Sequence, residues 1–214
     1  MPDGHRDPLA RPGPPPGARR VLTLYLSPGS SAMAPHIALH EIGQPFETRV
    51  LSFARRDHRD PAFLAINPDG KVPVLLVDGR PLTEVAGIFF YLARRFPAAG
   101  LLPEGGAEAE ARVVSWMSFL AATVHPARRQ GPDAARAAYA LAEQRLGGAD
   151  WAVGGRLSIA DIHLFRLFWR FRNASPPDGA LFPGLQAHHD RMMQRPAVQR
   201  TCAAEAATGY ELPA

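Results

Sequence analysis

One stretch of the chain, residues 71–88, constrains the fold more than any other part of the sequence. Asp78-Gly79 separates two short apolar runs, and this dipeptide is the strongest short-range signal for a β-hairpin because both turn positions require positive φ. Pro73 stands at the start of the first run, where a strand tolerates a residue without an N–H donor. After Glu84, apolar residues recur at helical spacing. The stretch therefore predicts strand, turn, strand and helix, with a helix N-terminus beside an exposed strand edge that can hold a carboxylate and an extended peptide.

Four further elements precede this stretch. Short apolar or alternating runs predict strands, and apolar residues at helical spacing predict helices. They are a strand at residues 21–26, a helix carrying Met33, Ile37 and Ile42, a strand at residues 45–51 and a short helix at residues 61–66. Ser30 or Ser31 can supply the N-cap oxygen of the first helix, and Gly43 can end it. The order β-α-β-α-β-β-α over residues 21–96 combines one parallel crossover with a terminal hairpin, which is the thioredoxin arrangement.

The second half of the chain is predicted to be helical throughout, because it carries no strand signal. We expect its helices at residues 108–123, 132–146, 159–171, 182–194 and 196–207. The fold class is therefore α+β with two domains, a thioredoxin-like βαβαββα domain followed by an all-helical bundle. The chain is predicted to divide into four parts. Residues 1–20 form a proline-rich disordered arm, residues 21–97 the first domain, residues 98–106 a linker rich in Pro, Gly and Ala, and residues 107–214 the helical domain.

Charge and cysteine content argue against several classes of function. The net charge is +4, and the first 20 residues carry half of it because four arginines there outnumber two aspartates. The nearly balanced remainder argues against nucleic-acid binding. No apolar run approaches the roughly 18 residues of a membrane span, and the N-terminus lacks the apolar segment of a secretory signal. Cys202 is the single cysteine, so an intrachain disulfide is impossible. We expect a cytoplasmic protein without nucleic-acid or membrane partners.

A capping motif predicts where one helix of the second half begins. Ser158 can cap that helix while Asp161 reaches back to it, and Leu157 and Ile162 can form the flanking hydrophobic contact. A catalytic Ser/Asp pair is the rival interpretation. Capping already explains the spacing, so we interpret the motif as structural.

Several motifs occur in the order typical of one enzyme family, and together they cover residues 21–207. They are residues 24–31 followed by His36-Ile37, residues 67–73, Thr83-Glu84, residues 119–121 with His125, residues 158–161 and residues 195–199. With this ordered set, the chain resembles the cytosolic glutathione S-transferases and is most similar to their bacterial beta class. Each motif alone is unspecific, whereas the whole series in this order is specific.

The resemblance implies a glutathione site on the stretch described first. The Val72-Pro73 bond would be cis, with the Val72 backbone pairing with the cysteinyl part of glutathione. Glu84 would bind the γ-glutamyl ammonium, and the Val85 N–H would bind its carboxylate at the helix N-terminus. The family usually has serine or a small residue where Val85 stands, so a hydroxyl contact is missing and affinity is expected to be weaker. Arg56, or its neighbour in the same loop, could bind the glycyl carboxylate unless that loop is simply solvated.

The catalytic position departs from the beta class, which typically carries a cysteine where Ser31 stands. A serine hydroxyl there can donate to the glutathione sulfur and favour the thiolate, which is the nucleophile. Ser30 could serve instead, or either serine could merely cap the helix. Serine cannot form a mixed disulfide with glutathione, so cysteine-based reductase chemistry is not expected. His125 falls where the class places a histidine facing the active site, although a histidine before a proline is often only a helix-end residue.

The other histidines and the aromatic residues are assigned mainly to the core. His36 is expected to be structural, and His188 and His189 project in different directions from one helix, so no metal site is predicted. Trp116 and Trp169 are the candidates for lining a pocket for an apolar electrophile. The connection after His125 is shorter than the beta-class pattern, so substrate choice does not carry over.

The favoured function is glutathione transfer, in which the enzyme binds glutathione as co-substrate and activates its thiol for attack on an electrophilic small molecule or a peroxide. No other cofactor is predicted, and the resemblance implies a homodimer. A glutathione-dependent isomerase or lyase on the same scaffold stays open as an alternative. A non-catalytic glutathione-binding interaction module stays open as well, and Val85 and the missing cysteine favour it.

Overall fold

A four-stranded mixed sheet organises the first half of the protein. The computed structural model describes residues 21–174 and 181–211, so the predicted N-terminal arm lies outside the described residues. The strands lie in the order β2-β1-β3-β4, with β1 parallel to β2 and antiparallel to β3, and β3 antiparallel to β4. They are β1 (Leu22–Leu26), β2 (Glu47–Val50), β3 (Val74–Val77) and β4 (Arg80–Thr83). The predicted thioredoxin-like order is confirmed.

The hairpin between β3 and β4 forms as the sequence indicates. Asp78 and Gly79 both have positive φ, 52° and 78°, and Val77 pairs with Arg80 across the turn. Asp78 also accepts the Val21 N–H at 3.3 Å, which ties the turn to the start of β1. The local chemistry of one dipeptide therefore sets the register of half the sheet.

Three helices accompany the sheet, α1 (Met33–Ile42), α2 (Pro61–Leu64) and α3 (Val85–Arg95). Gly43 ends α1 as predicted, with φ of 71° and its N–H bonded to the Leu39 carbonyl. The predicted cap at the other end was wrong, because α1 has Ala32 at its N-cap position and no side-chain cap. Ser30 Oγ instead accepts the Ala32 N–H at 3.2 Å, one turn ahead of the helix.

The second half is a helical bundle, as predicted. Its helices are α4 (Gly106–Phe119), α5 (His125–Gln130), α6 (Pro132–Leu146), α7 (Ile159–Ala174), α8 (Pro183–Met193) and α9 (Pro196–Thr208). None of the described helices is long and apolar enough to span a membrane.

The predicted helix end near residue 123 was wrong. A π-helical turn, Leu120–Val124, joins α4 to α5 without a break, and the His125 N–H bonds to the Leu120 carbonyl five residues back. Pro126 explains this turn, since proline has no N–H and its ring clashes with the carbonyl four residues earlier in an α-helix. His125 consequently lies inside a continuous helix rather than at its end.

The two halves share one core. Helix α1 packs against α7 and α9, and α3 also contacts α7. Helix α7 is buried on every side from Ile159 to Phe171, and Ile162, Phe165 and Phe168 are each no more than 1% exposed. Because α7 contacts α1 and α3 of the sheet half and α4 and α8 of the helical half, it is central to the core that the two halves share.

The capping motif at the start of α7 forms, with one difference in its hydrogen bonds. Asp161 Oδ2 accepts the Ser158 N–H at 2.8 Å, as predicted for the residue that reaches back. The Ser158 hydroxyl donates to the same carboxylate at 2.7 Å instead of accepting the Asp161 N–H. Asp161 also binds Ala152 N–H and His188, so the motif joins α7 to the preceding loop and to α8.

Candidate functional site

A cavity of about 260 Å³ lies between the sheet half and the helical half. It brings together six of the residues singled out from the sequence, which are Ser31, Val72, Pro73, Glu84, Val85 and His125. The other described lining residues are Asn67, Asp69, Lys71, Thr83, Ala86, Ala121, Arg129 and His163. One wall thus comes from the sheet half, and the other comes from α5, α7 and the π-helical turn.

The loop that carries Ser31 is held by two buried charged side chains of the helical half. Arg166 on α7 donates to the Ser30 carbonyl at 3.0 Å and to the Gly29 carbonyl at 2.8 Å. Glu205 on α9 accepts the Gly29 N–H at 2.6 Å. The position of Ser31 therefore depends on the packing of the two halves and not on its own segment alone.

The two neighbouring serines differ in what their hydroxyl groups contact. Ser30 is 8% exposed, and its hydroxyl is engaged by the Ala32 N–H. Ser31 lines the cavity, and its hydroxyl has no hydrogen-bond partner among the described residues. Of these two serines, Ser31 is therefore the one that presents a free hydroxyl to a ligand in this cavity.

The backbone at Val72, two residues before the inner strand β3, is shaped by the loop before it. The Val72-Pro73 bond is cis, as the resemblance implied. Asn67 Nδ2 donates to the Lys71 carbonyl at 2.8 Å, which closes this loop. Gly70 has φ of 60°, and a Cβ added there would lie 2.8 Å from the His58 carbonyl oxygen, so the loop requires glycine.

Glu84 and Val85 form the end of the cavity at the start of α3. Glu84 is exposed and adopts φ of 62° and ψ of 128°, a conformation that non-glycine residues rarely adopt and that is often found at functional sites. Its side chain does not cap the helix, so the first N–H groups of α3 stay available to a ligand. A free carboxylate and free N–H donors at one place suit a zwitterionic group.

Two histidines on the helical wall are uncharged at neutral pH. Burial, together with nearby Arg166, Arg129 and Arg128, lowers the pKa of His125 to about 4. Burial and the proximity of His125 and Arg166 lower the pKa of His163 to about 3. These imidazoles can form hydrogen bonds without adding charge, while the arginines make the wall electropositive.

Several predicted residues lie elsewhere. Arg56 is exposed at the start of a 3₁₀ turn (Asp57–Arg59) and does not line the cavity. Trp116 is buried beneath the Arg145 guanidinium, 4.9 Å from its ring centroid. Trp169 is buried against Tyr210, with ring centroids 5.4 Å apart. Neither indole is among the described residues that line the cavity, because both are used in packing within the helical half.

His36 has the structural environment expected for it. Its Nδ1 lies 2.8 Å from Glu205 Oε1 in the core, where Glu205 also holds the Gly29 N–H. In the described part of the chain, no group of three or more His, Cys, Asp or Glu side chains could hold a metal ion. His188 and His189 instead contact Asp161 and Asp190 respectively.

Lys71 in the sheet half was not predicted as a site residue, and neither were Arg129, His163 and Arg166 in the helical half. Arg129 could have been found, because it lies four residues after His125 and so shares its helix face. His163 stands two residues after Asp161, and only the packing of α7 shows that it reaches the cavity. Arg166 acts on a loop more than 130 residues away in sequence, which no local pattern indicates.

Comparison with known proteins matches both halves of the chain to domains of one family. Residues 20–94 match the family described as glutathione S-transferase, N-terminal domain, and residues 120–196 match glutathione S-transferase, C-terminal domain. The chain is 31% identical over 204 residues to glutathione S-transferase GST-4.5 of Xanthomonas campestris pv. campestris, covering 86% of this chain and 98% of that relative.

Solved structures agree in fold over the same length. A sphingomonad glutathione S-transferase complexed with glutathione is 35% identical with a TM-score of 0.77, covering 86% of this chain and 98% of that one. A bacterial beta class glutathione S-transferase of Sphingomonas chungbukensis is 34% identical with a TM-score of 0.74, at the same coverage of both chains.

Proposed function

This chain belongs to the glutathione S-transferase family and is a glutathione transferase, and on that basis we propose that Ser31 activates the glutathione thiol. The observation that carries the proposal is the free Ser31 hydroxyl in the cavity that also contains Val72 and Glu84. A hydroxyl that donates to sulfur stabilises the thiolate and lowers the thiol pKa from about 8.5. The thiolate then attacks an electrophilic small molecule or a peroxide.

The rest of the cavity supports an assignment for each part of glutathione. The γ-glutamyl ammonium is assigned to Glu84, and its carboxylate to the free N–H groups at the start of α3, beginning with Val85. The cysteinyl part pairs with the backbone of Val72. Lys71 takes the glycyl carboxylate in place of Arg56, because Lys71 lines the cavity and Arg56 does not.

Positive charge around the Ser31 loop favours the same chemistry. The buried Arg166 donates to both carbonyls before Ser31, and burial lowers its pKa only to about 10, so it stays charged at neutral pH. A fixed positive charge near the sulfur stabilises the thiolate relative to the thiol. His125 is neutral and serves as a hydrogen-bonding group on the opposite wall.

Replacing Glu84 with glutamine should weaken glutathione binding by about 10- to 100-fold, since a charge-assisted hydrogen bond contributes about 1.5–3 kcal/mol. Isothermal titration calorimetry of glutathione measures the effect. Glu47→Gln, on the exposed strand β2, is the matched control and should bind as the wild type does. An unchanged Kd in Glu84→Gln would contradict the assignment of the γ-glutamyl ammonium to the Glu84 carboxylate.

Calorimetry with glutathione and turnover of 1-chloro-2,4-dinitrobenzene together test the function. Binding with turnover supports the transferase. Binding without turnover of any electrophile would instead favour the interaction module, and the absence of binding would contradict the assignment of the cavity.

The finer expectations on partners and location are part of this proposal. We propose glutathione and an electrophile as the only small molecules the reaction requires, and a cytoplasmic location, which the single cysteine supports.

We also propose a homodimer. A second cavity of about 290 Å³ lies between α3 and α4 and is lined mainly by apolar residues. Two of these residues are exposed, Phe90 by 44% and Val114 by 54%. An exposed apolar surface of this kind suits contact with a partner subunit.

The dimer is expected at twice the 23.2 kDa chain mass in light scattering. Val114→Asp should raise the dimer dissociation constant by about 10-fold or more, because it buries an unpaired charge in the contact. Val50→Asp, at a comparably exposed valine on β2, is the control and should remain dimeric. A monomeric wild type would contradict the proposed assembly.

A further inference from the structure

We propose that the electrophilic substrate carries an anionic group, a carboxylate or a sulfonate, which Arg129 binds on the helical wall of the cavity. The inference rests on the proposed function, since it names the class of second substrate for that site. It replaces the apolar electrophile expected from the sequence.

The composition of the helical wall is the first observation. Ala121, His125 and Arg129 follow one another at intervals of four along the π-helical turn and α5, and so lie on one face towards the cavity. His163 of α7 completes the wall. The described residues of this wall include no carboxylate and no Phe, Tyr or Trp ring, although pockets for apolar ligands are lined mainly by such rings and by aliphatic side chains.

The charges of glutathione leave Arg129 without a role in binding it. Glu84, the start of α3 and Lys71 already match the ammonium and the two carboxylates, and all of them lie on the sheet wall. Arg129 lies on the opposite wall, is exposed, and makes no ion pair with any residue in the described ranges. An unpaired guanidinium there is a ready donor for a second anion, with planar N–H groups that match a carboxylate.

His163 supplies a neutral polar group beside this cation. It is 3% exposed, and its buried Nδ1 has no hydrogen-bond partner among the described residues. Buried polar groups without partners are rare and costly, so a substrate oxygen that engages His163 would relieve an existing deficit. The wall therefore offers one positive charge and neutral hydrogen-bonding groups, which suits an oxygen-rich anion better than a hydrocarbon.

The chemical step is ordinary nucleophilic substitution when the acceptor is an aryl halide. The glutathione thiolate forms the new C–S bond, the C–Cl bond breaks, and chloride leaves with the bonding pair. The thiol proton passes to solvent, and no other reactant is needed. The anionic group takes no part in bond making or breaking and serves only to position the ring.

Two pairs of matched probes test the proposal separately from catalysis. The binding pair is 3,5-dinitrobenzoate and its methyl ester, which lack a leaving group and are titrated by calorimetry into enzyme saturated with glutathione. The turnover pair is 4-chloro-3,5-dinitrobenzoate and its methyl ester, with each rate divided by the uncatalysed rate. Wild type should prefer the carboxylate in both pairs, and rising salt should reduce the preference because Arg129 is exposed.

The variant Arg129→Gln should raise Kd for the carboxylate probe by about 10-fold, the lower end of the range for one charge-assisted hydrogen bond because Arg129 is exposed, and should affect the ester far less. Arg129→Lys should restore part of the preference, since it keeps the charge and loses the planar geometry. Arg136→Gln, on the surface of α6, is the matched control and should retain the wild-type preference.

Three results would overturn the proposal. The first is that the wild type binds the ester as tightly as the carboxylate. The second is that Arg129→Gln raises Kd for both probes equally. The third is that Arg129→Gln raises Kd for glutathione instead, which would assign Arg129 to the glycyl carboxylate. Carboxylate-selective binding without turnover would support the anion site while counting against the catalytic role of Ser31, so the two failures are distinguishable.

Discussion

Replacing Ser31 with alanine should lower kcat/KM for 1-chloro-2,4-dinitrobenzene by about 100- to 1,000-fold, the usual cost of removing one hydrogen-bond donor from a developing or stabilised anion. The Ser31 hydroxyl has no partner among the described residues and lines the cavity, so its removal leaves the fold intact. Glutathione affinity should change less than about threefold, because Val72, Glu84 and Val85 are untouched. The loss therefore falls on the chemistry and not on binding.

The pH dependence of kcat/KM identifies the cause of that loss. If Ser31 has the proposed role, its hydroxyl lowers the pKa of the bound thiol in the wild type, so the thiolate should be present at neutral pH and the rate should fall only in acid. In Ser31→Ala the acid limb of the pH profile should move to higher pH, towards the pKa of a free thiol, which is about 8.5. The midpoint of the pH titration of the bound thiolate, followed by its ultraviolet absorbance, should move to higher pH as well.

Two further variants decide between the neighbouring serines. Ser31→Thr keeps a hydroxyl and should recover part of the activity. Ser30→Ala should lower the rate by less than about tenfold, since the Ser30 hydroxyl is engaged by the Ala32 N–H and the side chain does not line the cavity. Full activity in Ser31→Ala, or the larger loss in Ser30→Ala, would transfer the thiolate contact to another donor.

Replacing Asp161 with alanine should reduce the free energy of unfolding by about 3–5 kcal/mol, the cost of removing one partner from a buried charged network. Asp161 is 0% exposed, and its carboxylate accepts the Ser158 N–H and hydroxyl at 2.8 and 2.7 Å. It also accepts the Ala152 N–H at 2.6 Å and lies 3.1 Å from His188 Nε2. Alanine would leave all these groups buried without an acceptor.

Denaturant unfolding followed by circular dichroism measures this loss. Ser158→Ala removes one donor and should cost only about 1 kcal/mol. Asp133→Ala, on the exposed face of α6, should change stability by less than about 0.5 kcal/mol. If Asp161→Ala lost no more than Ser158→Ala, the carboxylate would be a simple helix cap rather than the link between α7, its loop and α8.

Local sequence patterns predicted the elements that depend on neighbours in the chain. The hairpin follows from Asp78-Gly79, and the end of α1 follows from Gly43, because both residues adopt positive φ without help from distant contacts. Asp161 was recognised from its spacing to Ser158 for the same reason. The resemblance to glutathione S-transferases then ordered these elements into a fold.

The sequence was less informative at places where a distant contact or a local competition decides the outcome. A helix was expected to end near residue 123, but a π-helical turn accommodates Pro126 and keeps His125 inside a continuous helix. Trp116 and Trp169 were assigned to a substrate pocket by residue type, whereas the packing of the helical half buries both rings. Residue type alone does not indicate which face of a helix meets a cavity.

The sequence by itself determined the sheet half and the positions of Val72, Glu84 and Ser31 along it, because turns, caps and short strands are set by residues close together in the chain. Only the tertiary structure decided what surrounds them. Arg166 reaches the Ser31 loop from 136 residues away, and Arg129 and His163 line the opposite wall from two different helices. Such contacts arise when the two halves pack on one core, and their energy comes from burial between distant segments, which no local pattern encodes.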